Sequence, residues 1–266
     1  MLPVEREARA MVELLSYAGF AAVIYVLSFL SGMLGLGVAF VAIPVLGIFG
    51  FDLKTVIMPW ALLLNGLTAI SAAVAFLRRG MVDLRTAVPL LVITTLAAPV
   101  GVYLVRFVAV DTIWWIYVGV LAFLAYRMSF PPKSRQEEES STVGDRERVV
   151  AGGLGVAIGA FAGFLGVGPG FLMMPTLVLL GYSARIAAAT NAVVVTLPSF
   201  SAFAAHLGTA RFDWGLVIVT SAAALAGAQM GANFMARRVR SRTLSRMFAL
   251  LLVALGLQRV YLLTVG

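Results

Sequence analysis

Long apolar stretches separated by short polar clusters run along the whole chain, and this pattern predicts membrane helices. The stretches are too long and too frequent to form the core of a globular domain. None alternates polar and apolar residues with the two-residue period of a membrane β-strand. The predicted fold class is therefore an all-α integral membrane protein that lies in the lipid bilayer. The predicted full spans are 12–34, 55–77, 86–106, 112–128, 149–165, 184–207, 214–236 and 243–264.

Two further apolar pieces, 38–50 and the piece ending at Gly181, are too short to cross a bilayer as helices. At 1.5 Å per residue the first reaches about 20 Å, against a hydrocarbon core of about 30 Å. Each piece follows a cluster of glycine residues. We predict that both are half-helices or re-entrant limbs, which gives the chain eight to ten membrane segments.

The two glycine clusters are copies of one another. Residues 163–175 read Gly-Phe-Leu-Gly-Val-Gly-Pro-Gly-Phe-Leu-Met-Met-Pro, and the earlier stretch 32–44 reads Gly-Met-Leu-Gly-Leu-Gly-Val-Ala-Phe-Val-Ala-Ile-Pro. Asp83 and Asp213 also match, at a spacing that differs from that of the glycine clusters by a single position. The duplication predicts three regions: a first membrane repeat at 1–128, a charged cytoplasmic linker at 129–148 and a second membrane repeat at 149–266.

Charge distribution predicts that the two repeats are inverted. With five segments in each half, the linker and the N-terminus lie on opposite sides of the membrane. This arrangement puts 14 of the 20 lysine and arginine residues on one side, whereas a parallel arrangement puts only 12 there. Because basic loops stay in the cytoplasm, the linker and the loop at 237–246 are predicted to be cytoplasmic and both termini external.

Composition agrees with a membrane location and removes several classes of function. The chain is 61% apolar and 12% charged, with mean hydropathy +1.00 and a net charge of +8. In a membrane protein the basic residues set orientation, so no nucleic-acid partner is predicted. Zero cysteines and a single histidine, His206, leave no metal cluster, and neither a metal nor a cofactor is expected. The first residues lead into no cleavage site, so no removable signal peptide is predicted.

None of the twelve acidic residues lies deep in a predicted span. Cation pumps, sodium-coupled carriers and intramembrane aspartyl proteases keep a carboxylate at membrane depth, so this absence argues against all three. The interior polar residues are neutral, and most serines and threonines are expected to join helices. Asn65 and Asn191 differ, because each lies in the span after a glycine cluster and an amide is costly in lipid. Both are candidates for ligand contact, with structural hydrogen bonding as the alternative.

The glycine clusters themselves indicate a site for an anion. A helix interrupted inside the membrane exposes backbone N–H groups and the positive end of a helix dipole. Two broken helices at corresponding positions of two repeats indicate a substrate site near the midplane. The alternative is close helix packing through small residues. His206 is a weaker candidate for binding a ligand or a proton, and Arg185 with its match Lys54 could attract anions or simply reach the interface.

Three motifs resemble the TauE/SafE family of sulfite and organosulfonate exporters. These are the paired Gly-x-Gly-x-x-Phe-x-x-x-Pro breaks, the Ala-Ala-Ala-Thr-Asn-Ala run at 187–192 and the Gly-x-x-x-Phe-Asp-Trp turn at 208–214. The resemblance covers nearly the whole chain. It implies a permease of the bacterial-type cytoplasmic (inner) membrane, not an enzyme, that moves small sulfur-containing anions such as sulfite or sulfoacetate outward.

The resemblance also assigns site residues, with two departures in the first repeat. The first break reads Gly-Leu-Gly-Val-Ala where Gly-x-Gly-Gly-Gly is usual, and Pro59-Trp60 stands where the second repeat has Thr190-Asn191. We take Asn65 as the site residue of the first repeat in place of the missing Thr-Asn pair. The predicted substrate-binding residues are Gly35, Gly37, Asn65, Gly166, Gly168, Gly170, Thr190, Asn191 and His206.

Other functions stay open from sequence. A carrier of a different small organic or inorganic anion would share every feature above. A membrane scaffold would need no central polar site. A membrane-embedded enzyme is disfavoured, because the chain has no deep acid and no serine paired with a base at helical spacing. The expected partners are a small anionic substrate and the bilayer, and a homo-oligomer is also compatible with the sequence.

Overall fold

A computed structural model describes residues 3–129 and 145–265, and these residues form ten α-helices and no β-strand. A 3₁₀ turn, Gly47–Phe49, follows the second helix, and a π-helical turn, Leu53–Ile57, leads into the third. The helices are α1 (Pro3–Leu34), α2 (Ala39–Leu46), α3 (Met58–Leu77), α4 (Leu84–Val105), α5 (Val110–Ser129), α6 (Asp145–Leu165), α7 (Gly170–Leu179), α8 (Ala184–His206), α9 (Trp214–Arg238) and α10 (Ser241–Val265).

The all-helical prediction is confirmed for the residues that the structure describes, and six of their helices are long and apolar enough to cross a membrane. The two short pieces are short helices, since α2 has 8 residues and α7 has 10. The other predicted spans agree with observed helices to within about four residues, except that α1 begins nine residues before the predicted start at position 12. Of the predicted linker at 129–148, residues 130–144 lie outside the described residues.

Both short helices turn back toward the start of the helix before them. After α2, the rings of Phe49 and Phe51 lie 4.9 Å and 6.0 Å from the ring of Phe20 in α1. After α7, Tyr182 donates a hydrogen bond to Asp83 at the start of α4, and α4 runs parallel to α6, with which it packs. Each break therefore forms a hairpin rather than a kink in a continuous helix.

Helices of the first half pack on helices of the second half, and these contacts come in matched pairs. Helix α1 packs on α9 while α6 packs on α4, and α3 packs on α9 while α8 packs on α4. Helices α3 and α8 pack on each other at the centre, and α5 packs on α10. If each helix is replaced by its counterpart in the other half, the same set of helix contacts results. The pattern indicates an internal twofold relation, with α3 and α8 as the most buried candidate spans.

Glycines let the outer helix pairs approach to backbone contact. A Cβ atom at Gly231 of α9 would overlap the carbonyl oxygen of Phe29 in α1. At the matching position of the other pair, a Cβ at Gly101 of α4 would overlap the carbonyl oxygen of Ala160 in α6. Small residues at such contacts are the usual means by which membrane helices associate, because lipid supplies no hydrophobic force between helices.

The bundle has two ends, and each is marked by an aspartate that begins a helix. Asp83 accepts the N–H of Arg85 at the start of α4, and Asp213 accepts the N–H of Leu216 at the start of α9. Tyr17 in α1 donates to Asp213 with an O–O distance of 2.7 Å. We call these the Asp83 end and the Asp213 end. The two aspartates matched in sequence are therefore N-caps.

The packing of α1 on α9 gives a stability prediction. Gly231→Ala forces the two backbones apart, and overpacking of this kind costs about 1–3 kcal/mol. We expect a lower midpoint of thermal unfolding in detergent micelles. Gly119→Ala in α5 is the matched control, because nothing lies within 4 Å of a Cβ there and alanine favours the helix. Equal midpoints for the two variants would contradict the packing.

Candidate functional site

Each break is a turn that only glycine adopts easily. Helix α1 ends at Leu34 and α6 ends at Leu165. The backbone then passes through two left-handed glycines in each repeat, and a side chain at such a φ value would be strained. The four residues and their φ angles are Gly35 at 63°, Gly37 at 75°, Gly166 at 69° and Gly168 at 72°.

The two breaks meet at the centre of the bundle. Gly170, the first residue of α7, lies so close to the first break that a Cβ there would overlap the carbonyl oxygen of Leu36. One turn into the hairpins, the rings of Phe40 and Phe171 stack with centroids 5.2 Å apart and an interplanar angle of 13°. The starts of α2 and α7 thus face a common, fully buried region, which we call the crossing.

Asn191 of α8 joins the two breaks through its amide nitrogen. The Nδ2 atom donates to the carbonyl oxygen of Gly35 at 2.8 Å and to that of Gly170 at 2.9 Å. The side chain is 0% exposed. Its Oδ1 atom has no hydrogen-bond partner. Asn191 is therefore a clamp between the repeats that also presents one unused acceptor.

Asn65 of α3 joins the breaks from the other side. Its Oδ1 accepts the N–H of Ala39 at 2.8 Å, and its Nδ2 donates to Ser199 Oγ of α8 at 2.8 Å. A Cβ at either Gly37 or Gly168 would overlap the Asn65 amide. These two glycines are thus required twice, by their φ angles and by the space that Asn65 fills.

The starts of the two short helices are capped differently. At α2, Thr68 Oγ1 accepts the N–H of Val38 at 3.1 Å, in addition to the Asn65 bond. At α7 the N-cap is Pro169, which has no side-chain acceptor. The residues that match Thr68 and Asn65 are Ser199 and Thr196, and both donate to carbonyl groups of their own helix. Among the described side chains, none caps the start of α7, so its positive end is available to a ligand.

Thr190 points away from the crossing toward the Asp83 end. Its Oγ1 accepts the N–H of Asp83 at 3.1 Å. Tyr182 donates to Asp83 Oδ2 at 2.6 Å, and its hydroxyl lies 2.6 Å from Thr86 Oγ1. We call Asp83, Thr86, Tyr182 and Thr190 the Tyr182 cluster. Burial alone would raise the pKa of Asp83, but the hydrogen bonds from Tyr182, Thr86 and backbone N–H groups outweigh it and hold the pKa below its ordinary value.

A cavity of about 230 Å³ occupies the corresponding position at the Asp213 end. Three of its lining residues, Phe51, Val56 and Trp60, match Tyr182, Ala187 and Asn191 at the spacing of the two glycine clusters. Trp60 donates to Thr220 Oγ1 at 3.2 Å. The Tyr182 cluster therefore fills its position at the Asp83 end, whereas the matching position at the Asp213 end is an open recess. The other lining residues are Arg211, Phe212, Asp213, Leu216 and Val217.

His206 is not brought to the crossing. It is the last residue of α8 and lies about 22 Å along that helix from Asn191. The ring is 3% exposed, and its Nε2 has no partner. Across residues 3–129 and 145–265, no group of histidine, cysteine, aspartate and glutamate side chains could hold a metal ion.

Ser199 and Thr68 are not singled out from sequence as site residues, although both contact the crossing. Sequence reasoning places each of them with the serines and threonines that join helices. A signal is present, because the two hydroxyl residues match at the spacing of the glycine clusters. Tyr182 has no comparable signal, since the matching residue, Phe51, has no hydroxyl.

Comparison with known proteins agrees with this architecture. Residues 20–259 match the family model described as "Sulfite exporter TauE/SafE". The chain is also 27% identical over 113 residues to "Probable membrane transporter protein YunE" of Bacillus subtilis (strain 168). That alignment spans 41% of this chain and 41% of the length of the relative. No solved structure matches the chain with significance. Because the family match covers most of its length, the chain belongs to the TauE/SafE sulfite exporter family of membrane transporters.

Proposed function

We propose that this multi-pass membrane protein is a permease that exports a small sulfur-containing oxyanion, such as sulfite or an organosulfonate, across a bacterial cytoplasmic membrane. The observation that carries the proposal is the crossing, where the uncapped start of α7 lies beside Asn191 in the buried centre of the bundle. Backbone N–H groups at a helix start bind anions without a basic side chain. The family match supports a transporter, and the name of the family makes sulfite the first substrate to test.

Inverted repeats are part of the proposal, and three observations support them. The helix contacts of the two halves exchange as pairs. The matched caps Asp83 and Asp213 lie at opposite ends of the bundle. The matched cations also act alike, since Lys54 Nζ donates to Val108 O just after α4 and Arg185 donates to Ala236 O in the last turn of α9. A cation at a helix C-terminus is favoured by the helix dipole.

Alternating access follows from an asymmetry between the two ends. In a protein built from inverted repeats, the two ends exchange roles when the substrate site opens to the other side. The Tyr182 cluster fills the Asp83 end, while the matching position at the Asp213 end is a recess. We propose that the described conformation is closed at the cytoplasmic Asp83 end, and that breaking the Tyr182 cluster opens it.

The membrane potential is the proposed driving force. No acidic residue lies inside the described spans, which leaves no carboxylate there to couple transport to a cation. An inside-negative potential favours outward movement of an anion by about 2.3 kcal/mol per charge for each 100 mV. Lys54 and Arg185, one near each end, are proposed to raise the local anion concentration. A carrier for another small anion is the second candidate, supported by the same crossing.

Anion flux is the direct test of the proposed function. Protein reconstituted in liposomes is expected to release sulfite and sulfoacetate, and an imposed potential that is negative on the substrate side should accelerate release. Chloride serves as the comparison anion, and protein-free liposomes report leakage. Absence of flux for every anion, with and without potential, would reject the permease and favour a scaffold.

Asn191→Leu is expected to abolish transport. Leucine is close in size but cannot bridge Gly35 and Gly170 or contact a ligand through an amide. Gln229→Leu is the matched control, because Gln229 is an amide in α9 outside the breaks that accepts from Ser71. Both variants should insert in the membrane in equal amounts, measured by immunoblot. Unchanged flux in Asn191→Leu would remove this residue from the site.

The chain has no cysteine, so the reactivity of a single introduced cysteine can show which end of the bundle is closed. Val56→Cys in the recess is expected to react with a membrane-impermeant thiol reagent from the external face. The matching variant Ala187→Cys, at a position with 0% exposure, should be protected. Adding Tyr182→Phe breaks the Tyr182 cluster and should expose Ala187→Cys to reagent from the cytoplasmic face. Labelling of both cysteines from the same face would contradict the inverted arrangement.

A further inference from the structure

The hydrogen-bonding atoms at the crossing restrict which anion can bind there. The orientation of the Asn191 amide is set by its neighbours, because Nδ2 faces the carbonyl oxygens of Gly35 and Gly170. A flipped amide would place Oδ1 against two other oxygens with no proton between them. The atom left for a ligand is therefore Oδ1, which only accepts hydrogen bonds.

This acceptor is buried and unused. Asn191 is 0% exposed, and its Oδ1 has no partner. A buried polar atom without a partner is destabilising, so a ligand that donates to it gains affinity. A fully deprotonated oxyanion has no proton to donate and would set its own negative oxygens against Oδ1.

Backbone donors are present at the start of α7, whose first residue, Gly170, accepts from Asn191. The N–H groups of Leu172 and Met173 bond to Pro169 O, which leaves those of Gly170 and Phe171 without an intrahelical acceptor. Ser199 and Thr196 donate to their own helix and do not cap this start. The crossing thus contains backbone N–H donors as well as an unused carbonyl acceptor.

Charge limits the ligand as well. The side chains that contact the breaks, Asn65, Thr68, Asn191 and Ser199, are all neutral. A helix start supplies roughly half an elementary charge. One negative charge is matched far better by this arrangement than two.

We propose that the crossing binds a singly charged oxyanion that carries its own hydrogen-bond donor, and that Asn191 Oδ1 is the acceptor that selects it. This inference rests on the proposed function and narrows its substrate class. Hydrogensulfite meets the condition through its proton, and a sulfonate meets it when it bears a hydroxyl or ammonium group. The sulfite dianion and simple alkanesulfonates do not meet it.

Titratable groups of the protein are too far away or too constant to produce the same selectivity. Asp83 and Tyr182 reach Asn191 only through the neighbouring Thr190, and the hydrogen bonds of Asp83 keep it ionised near neutral pH. Arg185 lies in the first turn of α8, and His206 lies about 22 Å along that helix from Asn191. The α2 and α7 segments contain no ionisable side chain.

Two sulfonates of nearly equal size test the inference. Isethionate (2-hydroxyethanesulfonate) has a hydroxyl donor, ethanesulfonate has none, and neither titrates near neutral pH. In proteoliposomes at a clamped potential, isethionate flux is expected to exceed ethanesulfonate flux roughly tenfold, the factor of one hydrogen bond to an otherwise unpaired group. Sulfite flux at fixed total concentration should fall about tenfold per pH unit once hydrogensulfite becomes the minor species, because the carried species falls by that factor. Isethionate flux should stay constant over the same pH range.

Two variants test whether Asn191 is the residue that distinguishes isethionate from ethanesulfonate. Asn191→Ala should bring the isethionate to ethanesulfonate ratio close to one. Asn65→Ala is the control, because Asn65 Oδ1 already accepts from Ala39, so the ratio should persist even where total flux falls. If Asn191→Ala does not insert, the substrate pair on the unaltered protein still decides.

The outcomes separate this inference from the proposed function. Equal flux of isethionate and ethanesulfonate would overturn the inference and leave the permease intact, with a buried water as the partner of Oδ1. Sulfite flux that rises with the dianion would also overturn it. No flux of any anion would instead reject the permease itself.

Discussion

A helix that stops inside a membrane must have its backbone groups satisfied within the protein, because lipid offers no hydrogen bonds. This requirement organises the centre of the bundle. Asn191 donates to a carbonyl group of each break, while Asn65 accepts from Ala39 after the first break and packs against Gly168 of the second, so the two hairpins depend on one another. Neither break could form this structure with its own repeat alone. The inter-repeat contact is therefore part of the fold as well as part of the candidate site.

Prolines inside helices add to the same requirement, and at two of them a hydroxyl group from another helix supplies the missing donor. Pro44 has no N–H to give to the carbonyl of Phe40, and Tyr117 donates to that oxygen instead at 2.6 Å. Pro99 has no N–H for the carbonyl of Thr95, and Ser201 of α8 donates to that oxygen instead at 3.0 Å. In the second half the positions that correspond to Tyr117 at the spacings of the aspartate pair and of the glycine clusters are Met247 and Phe248, and neither has a hydroxyl. The two halves share a backbone plan at the breaks, while the side chains around each break differ.

Because the side chains around the two breaks differ, the candidate ligand-binding groups lie mainly in the second repeat. The start of α2 is closed by Thr68 and Asn65, whereas the start of α7 is left without a side-chain cap beside Asn191. In the proposed permease, the first half would supply a fixed scaffold and the second would supply the groups that pair with the substrate. The Tyr182 cluster and the recess at the Asp213 end extend the same asymmetry to the two mouths of the bundle.

The sequence by itself determined the helices, the duplication and the breaks. Apolar length, the two glycine clusters and the match between them are properties of the chain that need no partner to be read. Only the tertiary structure decided which atoms of Asn191 are used and which short helix is capped. These depend on contacts between residues that are distant in the chain, such as Asn191 with Gly35. An amide exposes a donor and an acceptor, and only its neighbours determine which of the two remains for a ligand.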